Sequence, residues 1–589
     1  MMKFLKKNYP YIVFAICFIC LFVRSPLGFC WSDESFYVST ADRFFRGAVP
    51  LADEWYRTQL SSLVMLPFYA AFTAVTGGND GVILYFRILY LLLSSCVALV
   101  FYNVLKKDRP AYAAGAASVF IMCYAHLNNA TFSYYMLSYL FLVPALILIY
   151  DSRGKNGRGQ LVFAGVLVAL SVLCMPAFSA GYAAAAVLAL LYLIVSGQKR
   201  LRDAADPAFV RKALLYTFIG ILIPAVVFGI YLLVRVGIGR LAETLPYALI
   251  DREHSNTLGY YIRKPHRSLM EVFGPLTYCS YALIAVTAAF GRRLKRHPLW
   301  EIVAAADTVL FILMAVRAMG HTGYIQAVFF LFMLPLYFIS EKKDTALFLL
   351  TAVPAVLVAL IYSFSSSDFL YVMAIGFSIG TLAGPCIIYD LATGNEAPTG
   401  LFRRSAATVL AAVCVFCLAE TFVLRMVNVY RDAPIGKLRE AITHGIAKGL
   451  YTTEEHLAMY DDVYEVIDGY LSDAGSFVHV SHNPAGNVLF SKILPWGYAA
   501  TPLDCAYPTT WRATAYDNAQ LEKYYEFNPE AVPDVIMVLD EQYGSYDASG
   551  DVEDDHVPNL DEMPDYWKDY IEEMGFSKTR VRCGYIYMK

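Results

Sequence analysis

Thirteen apolar stretches recur between residues 9 and 424, and a water-soluble fold could not cover them all. They fall at 9–24, 83–105, 110–126, 133–150, 160–176, 178–196, 213–235, 270–290, 299–317, 323–340, 345–363, 369–389 and 406–424. A helix of roughly 20 apolar residues spans the hydrocarbon core of a bilayer. Each stretch reads as one such helix, so the expected fold is a polytopic α-helical membrane protein with about 13 transmembrane helices. Composition agrees: 58% of residues are hydrophobic and 16% charged, where a soluble domain has roughly half and a quarter.

The segment 60–76, "LSSLVMLPFYAAFTAVT", is apolar but short, with Pro67 at its middle. Charge decides how it lies, because cytoplasmic loops carry the excess of Lys and Arg. With 60–76 on the membrane surface, the basic clusters all fall on one face. These are Lys3, Lys6 and Lys7; Lys106, Lys107 and Arg109; Arg153, Lys155 and Arg158; "QKRLR" at 198–202 with Arg211 and Lys212; "RRLKR" at 292–296; Lys342 and Lys343; and Arg403 and Arg404. Counting 60–76 as a span puts the N-terminus opposite every later cluster. The N-terminus is therefore expected in the cytoplasm of a plasma-membrane protein, and residues 425–589 outside. Residues 1–24 have the basic start and apolar middle of a signal peptide, but no small-x-small cleavage site follows, so they read as a retained first span.

This divides the chain into a transmembrane domain, 1–430, with a first outer loop at 25–82, and a soluble extracytoplasmic α/β domain, 431–589. The tail is acidic: residues 432–589 hold 11 Lys+Arg and 28 Asp+Glu, while residues 1–431 hold 36 and 22. A tail this acidic excludes nucleic acid as a partner. Its pattern predicts helices at 432–450 and 452–474, strands at 476–482 and 533–540, a helix in "YWKDYIEEMGF" and a last strand in "TRVRCGYIYMK". Cys505 and Cys583 are its only cysteines, on the side where a disulfide can form. The CxxC pairs Cys17/Cys20 and Cys414/Cys417 lie in apolar helices without histidine nearby, where Cys acts as a small hydrophobe.

The outer face carries the candidate chemistry. In "FCWSDESFYVSTADRFFRG" (29–47), Asp33 and Glu34 directly follow the first span. Tyr37, Ala41, Phe44 and Phe45 recur at helical spacing, predicting an amphipathic interfacial helix over 33–46 with Ser32 as its N-cap. Two readings of the acidic pair follow. Carboxylates in a first turn favour the helix macrodipole, and carboxylates beside lipid commonly have a functional role. A second acidic site, Asp53 and Glu54, comes just before Arg57. The outer loop 236–269 breaks the charge rule with Arg240, Arg252, Arg263, Lys264 and Arg267, beside His254 and His266. Such a loop could hold a lipid phosphate or neutralise the acidic tail. The turn "HLNNATFSYYMLSY" offers Asn128, Asn129, Tyr134, Tyr135 and Ser138, groups suited to a sugar and also common at span ends. Arg317 and His321 complete the set, and Asp307 sits inside a span.

These features, in this order, resemble the GT-C superfamily of membrane glycosyltransferases, nearest the branch of protein O-mannosyltransferases and the lipid A aminoarabinose transferase. The likeness is carried by Asp33-Glu34, Tyr37, Ala41, Gly47, Pro50, Asp53-Glu54, the surface segment ending in Gly77-Gly78, and Arg87-Ile88. Where that family often has Lys-Pro-Pro before the surface helix, this chain has "RTQLSS", making Arg57 the nearest cation. The resemblance implies a polyprenyl-phosphate sugar donor, a glycan, lipid or protein acceptor, and contact with membrane lipids. It implies Asp33 as general base, Glu34 beside it, and Asp53, Glu54, Arg57, Arg87, Tyr134, Arg252, Arg263, Lys264, Arg267, Arg317 and His321 as substrate-binding residues. It fixes no cofactor, and a divalent metal ion stays open. The rival reading is a transporter or flippase of lipid-linked glycans, for which Asp307 could carry a proton. The odd span count and the lack of visible internal repeats weigh against it. A polymerase or ligase using a diphosphate-linked glycan is a third reading.

Overall fold

The computed structural model of the chain describes residues 2–195, 206–249, 257–366, 368–395, 400–474, 486–490, 494–539, 564–581 and 584–589. Its helices are α1 (Met2–Arg24), α2 (Asp33–Phe45), α3 (Ser61–Thr76), α4 (Val82–Leu105), α5 (Ala111–Cys123), α6 (Tyr134–Asp151), α7 (Arg158–Cys174), α8 (Phe178–Val195), α9 (Pro207–Arg235), α10 (Ile238–Ala248) and α11 (Leu258–Phe273). They continue with α12 (Leu276–Leu294), α13 (Leu299–Ala318), α14 (Tyr324–Ile339), α15 (Thr345–Ser365), α16 (Phe369–Thr381), α17 (Gly384–Gly394), α18 (Gly400–Val427), α19 (Glu454–Ala474), α20 (Pro495–Ala500), α21 (Asn518–Phe527) and α22 (Asp565–Met574).

Among the described residues, eight helical segments are long and apolar enough to cross a membrane, or ten if two bent pairs each count as one. Asn8–Arg24, α5, α7 and α14 are apolar but shorter. The chain is an integral membrane protein. Local chemistry sets several helix starts: Ser133 accepts from Met136 N at the start of α6, Asp344 from Leu347 N at α15, and Asp206 from Ala208 N at α9, where Pro207 takes the first position. The α11–α12 pair bends by 115°. The bend falls at Gly274, whose φ of +57° suits glycine, and Pro275; Arg317 Nη1 donates to the freed Phe273 carbonyl at 2.6 Å.

Several of the basic clusters meet at one end of the bundle. Lys107 and Lys155 both pair with Asp151, at 2.6 and 2.8 Å. Arg109 joins Asp344 (3.1 Å) and Asp390, and Arg153 reaches Asp344 at 3.6 Å. Lys212 donates to the Lys155 carbonyl at 2.8 Å.

The opposite end carries the C-terminal domain. The stretch 57–76 is one of the eight long apolar segments, yet both its flanks bond to that domain. Trp55 N donates to Pro508 O at 2.8 Å, Asn79 Nδ2 to Ala499 O at 2.6 Å, and Gly81 N to Gly445 O at 2.9 Å. A crossing helix would carry its two ends to opposite faces, about 30 Å apart. α3 instead runs along α2, with Ser62 Oγ on the Tyr37 carbonyl (3.0 Å) and Tyr69 OH on Asp42 (2.7 Å).

The helix predicted over 33–46 forms as α2, but it does not lie on an open interface. Every residue from Glu34 to Phe44 is buried, because α3 covers one side and the C-terminal domain the other. Ser39 Oγ donates to Pro495 O at 2.6 Å and Thr40 meets Thr510 at 2.6 Å. Phe45 is left exposed.

In the tail, a mixed five-stranded sheet runs in the order β4 (Asp504–Cys505), β3 (Asn487–Phe490), β5 (Val535–Leu539), β7 (Gly584–Met588), β6 (Ser577–Val581). β3 is parallel to β4 and β5, and β7 is antiparallel to β5 and β6. Strand 533–540 and helices 452–474 and "YWKDYIEEMGF" form as expected. The helix predicted at 432–450 does not form. That stretch makes a 3₁₀ turn and pairs β1 (Glu440–Ala441) with β2 (Tyr451–Thr452). Pro434, and Gly445 and Gly449 at φ +66° and +86°, break it. The last predicted strand is a hairpin, β6 with β7. The strand at 476–482 and Cys583 lie outside the described residues.

α7 and α9 touch through glycines. A Cβ on Gly165 would come 2.1 Å from Thr217 O, and one on Gly220 2.0 Å from Val162 O. Such contact needs residues without side chains. Gly165→Leu should force the helices apart and lower the thermal unfolding midpoint of the detergent-purified protein by several degrees. Gly159→Leu, where nothing lies within 4 Å, should unfold close to the parent.

Candidate functional site

The turn after α1 delivers two adjacent carboxylates to different surroundings. Ser32 holds the N-cap position of α2 but makes no capping bond; its Oγ donates to Asp33 Oδ2 at 3.2 Å. Glu34 faces the bundle, 1% exposed, and takes a two-pronged pair from Arg87 on α4: Nε to Oε1 at 2.8 Å and Nη2 to Oε2 at 2.6 Å. Arg87 Nη1 also donates to Ser25 O at 2.8 Å, tying the α1–α2 turn to α4. Asp33 faces the chain leaving α18 and is 20% exposed. Its Oδ2 accepts from Tyr430 OH at 2.9 Å and pairs with Arg431 Nε at 3.2 Å. Arg431 sits at φ +53°, which disfavours a non-glycine residue, and stacks over Trp31 at 5.4 Å. Burial opposes the Arg431 charge, but Asp33 and the Tyr430 phenol outweigh it and hold its pKa above the ordinary value.

The second acidic site repeats this design. Glu54 is buried against Arg43 of α2 at 2.9 Å. Arg43 also donates to Asp53 O (2.7 Å) and Tyr524 OH (3.1 Å), so the site ties α2 to the C-terminal domain. Asp53 closes its own turn by accepting from Val49 N at 2.6 Å. Burial outweighs Arg43 and pushes the Glu54 carboxyl up to about 7.

The basic outer loop folds into α10 and α11. Arg240 binds Asn528 of the tail domain, and Arg57 donates to Leu249 O at 2.9 Å. Lys264 is buried, donates to Ser366 O and stands over Phe369. Arg267 pairs with Glu271 at 2.7 Å, and His321 meets Tyr371 OH at 3.1 Å. Arg317 is bound to Phe273 O, as above. Arg263 is exposed and has no ion pair among the described residues. Arg252 and His254 lie outside the described residues. Tyr134 lies beside Tyr135 with ring centroids 3.9 Å apart and the planes tilted by 33°, and meets Tyr37 edge-on at 5.9 Å. Asn128 and Asn129 are buried. Among the described residues no group of three or more His, Cys, Asp or Glu is arranged to hold a metal ion.

The basic loop is thus not gathered into one clamp. Three other arginines converge instead. Arg24, Arg87 and Arg425 line a cleft with Glu34, Asn128 and Tyr430. Of these, sequence reasoning missed Arg24, Arg425 and Tyr430, together with Arg431 next to Asp33. The signal was present: Arg24 and Arg425 end the first and last spans on the face that should be poor in Arg.

Two outcomes follow. Glu34→Gln leaves Arg87 buried without its carboxylate, which costs about 3–5 kcal/mol for pairs of this kind. Thermal unfolding should register that loss, with Asp33→Asn close to the parent. For Glu54, a folded pKa near 7 lies above the unfolded value of about 4.3. Protons then favour the folded state, so this group's contribution to stability falls as pH rises between those values. Glu54→Gln should flatten the decline in unfolding midpoint across that window.

Comparison with protein-family profiles gives no match, and comparison with curated proteins gives none. Among solved structures, the chain is similar to the archaeal oligosaccharyltransferase AglB from Archaeoglobus fulgidus, solved in complex with an inhibitory peptide and a dolichol-phosphate. The TM-score is 0.43 at 13% identity, over 93% of this chain and 72% of that one.

Proposed function

We propose that the chain is a GT-C-type membrane glycosyltransferase that moves a sugar from a polyprenyl-phosphate-linked donor to an acceptor hydroxyl on the outer face. The observation that carries this reading is the division of labour in the acidic pair. Glu34 is locked by Arg87. Asp33 keeps partial exposure, and its described side-chain bonds all go to Oδ2, which leaves Oδ1 without a described bond.

In the reaction, the acceptor hydroxyl approaches Asp33 Oδ1, which takes its proton. The hydroxyl oxygen attacks the anomeric carbon, and the bond from that carbon to the phosphate oxygen breaks, its electron pair leaving on the polyprenyl phosphate. A single displacement inverts the anomeric centre. A well-positioned base contributes about 10²–10⁴ in rate. Tyr430 and Arg431 orient Asp33, and Arg87 positions the turn through Glu34. The adjacent rings of Tyr134 and Tyr135 suit a sugar face. Arg263 of the basic loop is exposed and has no ion pair among the described residues.

The topology in this reading has 13 spans: the long apolar helices other than 57–76, the two bent pairs and the four shorter helices. The N-terminus is cytoplasmic and domain 431–589 is outside the plasma membrane. The meeting of several basic clusters at one end, and of both α3 flanks with the tail, supports it. Reporters active only outside the cytoplasm should work when fused after Lys589 and fail when fused at Ser405.

One observation favours a carrier of lipid-linked glycans instead. Asp307 of α13 is buried, and its Oδ2 has no hydrogen-bond partner among the described residues. Variants separate the two. Asp33→Asn should abolish transfer with protein level and donor binding intact, while Asp307→Asn should leave transfer near the parent rate. Near-normal turnover in Asp33→Asn would return the acidic pair to a helix-start role.

A further inference from the structure

The arginine cleft has an open volume of about 380 Å³, between the tail-side ends of α1, α4 and α18 and the turn before α6. Only Arg87 has a carboxylate there, Glu34. Arg24, 6% exposed, donates to three backbone carbonyls: Leu27 at 2.6 Å, Met426 at 3.0 Å and Asn428 at 2.6 Å. Arg425, 7% exposed, donates to Asn128 Oδ1 at 2.6 Å, and its Nε has no partner among the described residues. Neutral oxygens satisfy hydrogen bonds but do not cancel charge, and a buried charge is normally paired. Three guanidinium groups face Glu34, with Asp432 also close enough to act on Arg24 and Arg87, which leaves the cleft net positive. The turn that brings Asn128 against Arg425 has left-handed backbone at Leu127 (φ +49°) and Asn128 (φ +62°), a strain the surrounding packing maintains.

We infer that this cleft is an oxyanion site built for a phosphate group. Guanidinium forks match phosphate oxygens in pairs, and a net positive cleft suits a phosphate monoester. The occupant is a polyprenyl phosphate headgroup or free inorganic phosphate, which share this chemistry. Tyr430 lines the cleft and also donates to Asp33 Oδ2, so the occupant is separated from Asp33 by one side chain. The site itself rests on the arginines. Its assignment to the phosphate that leaves the sugar rests on the glycosyltransferase reading, in which Arg24 and Arg425 neutralise the charge arriving on the leaving oxygen.

The test uses the full chain in nanodiscs of phosphatidylcholine, titrated separately with inorganic phosphate and with polyprenyl monophosphate. Binding is followed by the shift in unfolding midpoint. The parent should bind at least one probe, and Arg425→Gln and Arg24→Gln should each weaken it about ten- to a hundredfold. Arg425→Lys should fall between, and Asp33→Asn should bind as the parent does. Tighter binding of the polyprenyl probe assigns the site to a lipid headgroup; equal binding assigns it to free phosphate. If Arg425→Gln does not fold, Arg24→Gln and Arg425→Lys give the answer. No binding of either probe by the parent, or undiminished binding in the arginine variants, overturns the site. Phosphate binding by a parent that transfers no sugar keeps the site and overturns the glycosyltransferase reading.

Discussion

The ion pair between Glu34 and Arg87 holds the functional end of this protein together. A carboxylate and a guanidinium buried beside lipid are each very unfavourable alone, and tolerable only when paired with good geometry. Here the geometry is two-pronged, at 2.6 and 2.8 Å, and Arg87 holds the Ser25 carbonyl as well. The pair fixes the turn after α1 against the head of α4, and so fixes where α2 begins. Once Glu34 is turned inward, Asp33, its neighbour along a helix, must point elsewhere. It points towards the exit of α18. The catalytic assignment of Asp33 depends on this constraint on Glu34.

The same device recurs where α2 meets the C-terminal domain. Glu54, Arg43 and Tyr524 join the first outer loop to the tail through a buried pair. With Ser39 on Pro495 and Thr40 on Thr510, the tail roofs α2. The C-terminal domain therefore forms part of the wall around the first outer loop, which accounts for the near-complete burial of α2.

Much of this was legible in the sequence, for a physical reason: spans must be long and continuously apolar, and that pattern survives without tertiary information. Asp33, Glu34 and the helix behind them were legible too. The roof over α2 was not, because a helix apolar on one face reads the same whether its other face meets water or protein. The stretch 432–450 misled because its apolar spacing imitated a helix while Gly445 and Gly449 were taking left-handed turns. The basic loop drew attention to Lys264, which is buried and donates to Ser366 O. Arg24 and Arg425 escaped notice because they stand about 400 residues apart in sequence and meet only in the fold. Convergence of distant span ends leaves no local pattern to read.

The central claim is that this chain breaks a bond between a sugar and a polyprenyl phosphate at its outer face. The most direct measurement supplies the purified protein in liposomes with a polyprenyl-phosphate sugar, labelled separately in lipid and sugar, and follows both labels. The account predicts release of free polyprenyl phosphate together with sugar bound to the acceptor. Intact donor that moves between leaflets, with no release of polyprenyl phosphate, would contradict it.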